Sequence, residues 1–158
     1  MFQRVGPVGA SVALLLFATP LAGAAAVDET IRCSRSEAFA GGGGRTVEAS
    51  LSYRNGRLAR VDLSTSVSNG EEGGAYACSF AATTTDKGVD WSREGGVDVL
   101  DSSRDAGAPS FVAVATRPRL AVVASRHLAR YYCGFGAEWP EYVIVPRQGG
   151  KCIVGPAE

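Results

Sequence analysis

Between Val47 and Ser64 apolar and polar side chains alternate, and that period of two belongs to a half-buried strand, not to a helix. Val47, Ala49, Leu51 and Tyr53 alternate with Glu48, Ser50, Ser52 and Arg54; beyond Asn55-Gly56, Ala59, Val61 and Leu63 alternate with Arg60, Asp62 and Ser64. The segment 46–67 is therefore predicted to be a β-hairpin. A two-residue Asn55-Gly56 turn would pair Leu51 with Arg60 and Ala49 with Asp62, bringing charges onto the apolar face. A three-residue loop, Arg54-Asn55-Gly56, pairs Leu51 with Ala59, Ala49 with Val61 and Val47 with Leu63. This register keeps one face apolar and gives Gly56 the left-handed position such a loop requires, so it is the one expected.

The rest of the chain is punctuated in the same manner. Gly41–Gly44, Asn69-Gly70 with Gly73-Gly74, Gly95-Gly96 and Gly149-Gly150 separate short segments rich in β-branched and aromatic residues, without long amphipathic periodicity. Further strands are predicted near 31–39, 75–81, 89–93, 97–101, 111–116, 120–125, 129–133, 141–145 and 151–154, with Arg117-Pro118-Arg119 as a turn and 102–109 as an exposed loop. The fold class is all-β. A small antiparallel β-barrel of about eight strands is expected, with a β-sandwich as the alternative.

Residues 1–26 read as a secretion signal. Arg4 supplies a positive start, Val12–Ala18 an apolar core, and Ala22-Gly23-Ala24 and Ala24-Ala25-Ala26 the small residues that a signal peptidase accommodates. Cleavage is expected after Ala24 or Ala26, leaving 27–158 as one β domain, periplasmic or secreted, with no membrane anchor. Four cysteines follow, Cys33, Cys78, Cys133 and Cys152, an even number in an exported chain. They are expected to form two disulfides, and Cys33–Cys78 with Cys133–Cys152 is the expected pairing because the latter flanks a compact segment. A zinc site is disfavoured by the absence of C-x-x-C and the presence of a single histidine.

After the signal, fifteen basic residues stand against sixteen acidic ones, a balance unsuited to a dedicated nucleic-acid binder. Residues 48–105 carry ten acidic and six basic side chains, whereas 117–158 carry three and six, so one part of the surface can attract a cationic partner. Two loops are candidate partner-binding sites. Glycines around Glu71, Glu72 and Gly73, before Tyr76, allow a protruding acidic loop. The aromatic stretch from Tyr131 to Tyr142 contains Phe135, Glu138 and Trp139, and rigid aromatic side chains make good anchors. In the competing view of that stretch, Phe135 and Trp139 fold inward and plug one end of the domain.

Catalytic readings find little support. His127 is the only histidine, and pairing it with Cys133 as a nucleophile would need a reduced thiol in an oxidising compartment. Asp86–Asp90 lacks calcium ligands at Gly88 and Val97 and reads as a turn. No metal, cofactor or enzymatic activity is expected.

Gly73-Gly74-Ala75-Tyr76 before Cys78, followed by Trp91-Ser92-Arg93-Glu94-Gly95, resembles the periplasmic lysozyme inhibitors of Gram-negative bacteria. That resemblance implies an eight-stranded barrel whose loops enter the lysozyme cleft. The family's Ser-Gly-x-x-Tyr signature falls on Glu72-Gly73-Gly74-Ala75-Tyr76, with Glu in place of Ser, so only Gly73 and Tyr76 carry over. The partner implied is a cationic lysozyme, met by Tyr76 as donor and by Glu71 and Glu72 as steering charges. The alternative partner is another envelope protein or glycan, bound through Phe135–Tyr142.

Overall fold

A computed structural model of the chain describes residues 29–70, 74–101, 111–126, 133 and 139–156. The signal segment, the loop at 102–109, His127 and most of the strand predicted at 129–133 lie outside the described residues.

The central hairpin reconciles a tight turn with an apolar face by inserting one residue. Its strands are β2 (Gly44–Arg54) and β3 (Arg57–Ser68). Asn55 and Gly56 both adopt left-handed conformations, with φ of 53° and 71°, as a two-residue turn of the type favoured in hairpins requires. Arg54 faces Arg57 and Tyr53 faces Leu58; the register then shifts, and Ser52 faces Arg60. Ala59 is the extra residue of a bulge. Beyond it Leu51 faces Val61, Ala49 faces Leu63 and Val47 faces Thr65. The expected three-residue loop is not formed. The bulge makes it unnecessary, since it restores the apolar face that a plain two-residue turn would have lost.

The remaining strands among the described residues are β1 (Glu29–Ala38), β4 (Ala75–Thr83), β5 (Asp90–Glu94), β6 (Val97–Asp101), β7 (Phe111–Thr116), β8 (Leu120–Arg126), β9 (Tyr142–Pro146), β10 (Gly150–Lys151) and β11 (Ile153–Val154). They form two sheets, ordered β10-β1-β2-β3-β4 and β11-β9-β8-β7-β6-β5. Strands β1–β4 and β5–β9 each follow the chain as a meander, and β4 does not pair with β5. The expected barrel is therefore not closed; the architecture is a sandwich, the alternative weighed above. Opposite the β4/β5 gap, the C-terminal segment laces the sheets together. Its β10 runs parallel to β1, and its β11 pairs antiparallel with β9.

Inward side chains from both sheets make one core. Leu51, Val61 and Ala82 meet Val112, Val114, Ala121 and Val145, all of them fully buried. Full burial of each Val or Leu side chain contributes about 1.5–3 kcal/mol. Tyr53 reaches across the core and shares a 3.0 Å hydrogen bond with Thr116.

Two disulfides staple this sandwich, Cys33–Cys152 and Cys78–Cys133, with Cα separations of 5.1 and 5.4 Å. The expected pairing, Cys33–Cys78 with Cys133–Cys152, is not the one formed, for a geometric reason. Cys33 and Cys78 sit on β1 and β4 of one sheet, three strand spacings apart, or roughly 14 Å at about 4.8 Å each. A disulfide cannot bridge Cα atoms more than about 7 Å apart. The parallel pairing of β1 with β10 sets Cys33 opposite Gly150 instead, and Cys152 follows two residues later.

Candidate functional site

The loop joining β3 to β4 has a firmly built base. Asn69 donates its N–H to the Gly74 carbonyl at 3.2 Å. Gly43 (φ +77°) packs so closely on this segment that a Cβ there would lie 2.0 Å from Ser68 O and 2.5 Å from Gly70 N. Only glycine fits such an approach of two backbones. Glu71, Glu72 and Gly73 lie outside the described residues. Tyr76 is half-buried near the start of β4, opposite Val67, and lines a concavity of about 530 Å³ with Thr46, Ser66 and Ser68.

The aromatic candidates divide differently. Phe135 and Glu138 lie outside the described residues. Trp139 is 1 % exposed and belongs to the core, so its ring faces inward and is not displayed to a partner. The chain around it is anchored to β8, where the buried Ser125 hydroxyl donates to Pro140 O at 2.9 Å and Ser125 N–H donates to Glu141 O.

A larger feature, unanticipated from the sequence, covers the outer face of the first sheet. Antiparallel register places outward side chains in rows across the strands. One row runs Ser34, Glu48, Ser64, Ser79; the next runs Arg32, Ser50, Asp62, Ala81. Between them the row Cys33, Ala49, Leu63, Phe80 points its side chains into the core and leaves only backbone on the outside. Alternate residues on a strand are roughly 6.7 Å apart, and with serine or alanine at five of the eight bank positions a groove results. It crosses the sheet from Gly150 to β4 and has a volume of about 640 Å³. The concavity beside Tyr76 is a parallel groove on the same face, between the rows of Thr46 and Gly44.

Charge in the large groove is sparse and placed. Asp62 is engaged by a two-pronged ion pair with Arg60. Glu48 accepts a 3.3 Å hydrogen bond from Ser64. Among the described residues neither Arg32 nor Glu48 has an ion-pair partner. Elsewhere, burial pushes the carboxyl of Asp98 above its ordinary range, although Arg93, 3.8 Å away, and Arg57 pull it down. Burial likewise raises Tyr53, against its bond to Thr116 and the nearby Arg147. Asp86 is held low by hydrogen bonds from the Thr83 amide and hydroxyl, which fold 83–86 into a turn. No cluster of three metal-ligating side chains occurs among the described residues.

The signal for the groove was present as serines at alternate positions, Ser50 and Ser52 on one strand, Ser64, Ser66 and Ser68 on the next. What the sequence lacked was the register that aligns them. Comparison with protein-family models, curated proteins and solved structures finds no match to this chain.

Proposed function

We propose that this chain is an exported binding protein that acts by occluding its partner, with the 69–76 hairpin end as its leading element. The observation that carries this reading is how that loop's base is built, closed by the Asn69–Gly74 hydrogen bond and packed closely against Gly43. A loop fastened at its base has less chain entropy to lose on binding than one free at both ends. The two disulfides accord with an oxidising compartment outside the cytoplasm. In its specific form the partner is a cationic lysozyme. Glu71 and Glu72 supply the negative charge that steers encounter, and the loop blocks the cleft without chemistry on either side. The accessory-module reading through Phe135–Tyr142 is weaker, because Trp139 faces the core.

Mixing the purified protein with a panel of lysozymes and following cell-wall lysis tests the inhibitor reading. Lysis should fall at near-stoichiometric protein, and Glu71→Gln with Glu72→Gln should slow association most at low salt. Undiminished lysis at large molar excess rejects it.

A further inference from the structure

The groove across the first sheet has no part in that reading, and its chemistry is of a different kind. We propose that it is a binding site for an oligosaccharide chain, laid across the strands between the Ser34 and Arg32 rows. Three observations support this occupant. The banks are built from hydroxyls at Ser34, Ser50, Ser64 and Ser79, with a carboxylate at Glu48 and a guanidinium at Arg32. Each hydroxyl both donates and accepts, which matches a ligand whose own groups are hydroxyls doing the same. Glu48 and Arg32 face the groove without ion-pair partners among the described residues, one able to accept sugar hydroxyls, the other able to donate to ring, carboxyl or acetamido oxygens.

The shape agrees. The banks stand roughly 6.7 Å apart centre to centre, which leaves a shallow cleft of about 640 Å³ that a sugar ring lies over and touches on both sides, and strands repeat about every 4.7–4.9 Å along it, a spacing comparable with one pyranose residue. A chain crossing β1, β2 and β3 therefore meets a fresh pair of polar side chains at each step, and at β4 it meets Ser79 beside Ala81. The floor is backbone, so nothing bulky stands in the way.

A protein partner is the competing occupant for an open sheet face, and the composition argues against it. Protein interfaces are enriched in Tyr, Trp, Phe, Met and Arg and depleted in Ser, Ala, Glu and Asp. The outward rows here consist almost wholly of the depleted types, with Arg32 the one exception. With no aromatic platform on its banks, the groove should bind modestly, through polar contacts.

The test is calorimetric titration of the full protein with linear tetrasaccharides of glucose, mannose and N-acetylglucosamine. At least one should bind with a Kd near or below about 1 mM. Glu48→Gln should weaken it about tenfold, the worth of one charge-assisted hydrogen bond. Ser64→Tyr should fill the groove and abolish binding while the melting temperature holds. If Ser64→Tyr disturbs folding, Ser79→Tyr on the edge strand serves as the block. Failure of all three sugars to bind at about 10 mM, far above that Kd, overturns the proposal. So does binding that survives both Glu48→Gln and the blocking substitution, for the sugar would then sit elsewhere. The groove and the 69–74 loop are separate surfaces, so this titration and the lysis assay fail independently.

Discussion

Replacing Cys33 and Cys152 together by alanine removes the bridge between β1 and the C-terminal segment, and the cost can be worked from the structure. In the chain-entropy treatment a bridge spanning 119 residues stabilises by about 5 kcal/mol at 25 °C. The Cys78–Cys133 bridge, spanning 55 residues, lies inside it. With those residues already confined, the outer bridge closes only about 64 residues of independent chain and contributes about 4 kcal/mol. Both sulfurs are buried, at 5 % and 0 % residue exposure, so their loss adds about 1 kcal/mol of cavity cost. Partly offsetting this, the segment keeps backbone anchors, including Cys152 N–H to Ser34 O at 3.2 Å and the β11–β9 pairs. The expected loss is about 3–5 kcal/mol. Urea titration followed by tryptophan fluorescence measures it, since Trp139 is buried in the core. The m-value should rise as well, because the unfolded chain without its outer loop exposes more surface. A loss below about 1 kcal/mol with an unchanged m-value would refute the reasoning, leaving β10 and β11 held by pairing alone.

Other outcomes follow from single side chains. Asp98 has its carboxyl raised by burial, so the folded state holds its proton more tightly than the unfolded one. Its stabilising effect is present below the ordinary carboxylate range and is lost as pH rises through the folded value. Asp98→Asn should therefore raise stability at neutral pH by about 0.5–2 kcal/mol and flatten that part of the pH profile in thermal melts; lower stability at pH 7 would count against it. Gly43→Ala places a methyl against Ser68 O at a positive φ and should cost more than about 2 kcal/mol by the same melts, whereas Gly88→Ala, with open space around it, should change little. Trp139→Ala should cost about 3–5 kcal/mol in urea titration, as expected of a buried ring and not of an exposed anchor.

How far the sequence reveals this molecule depends on the range of the interaction. Alternation along Val47–Ser64 is a local signal, and it correctly places Leu51 and Val61 inside. The strands at 97–101 and 111–116 are read to the residue for the same reason. The hairpin register is missed because a bulge competes with loop length, although the three-residue step between the buried Leu58 and Val61 is the trace it leaves. Disulfide pairing and the open sandwich depend on which strands become neighbours across the whole chain. Cys152 joins Cys33 only because the C-terminal segment returns to lie parallel to β1. The groove was hidden similarly, since Ser34 and Ser79 share a row only after four strands have aligned.

The nested arrangement of the two bridges also has a consequence for synthesis. A chain that emerges amino end first exposes Cys33 and Cys78 long before Cys152 exists, and simple first-come oxidation would join those two. The native partners require either that oxidation wait for the last strands or that an early wrong bond be exchanged by thiol attack. Where oxidation keeps pace with emergence of the chain, the order in which its cysteines arrive therefore bears on maturation, and a supply of exchange-competent thiols should raise the yield of correctly bridged molecules.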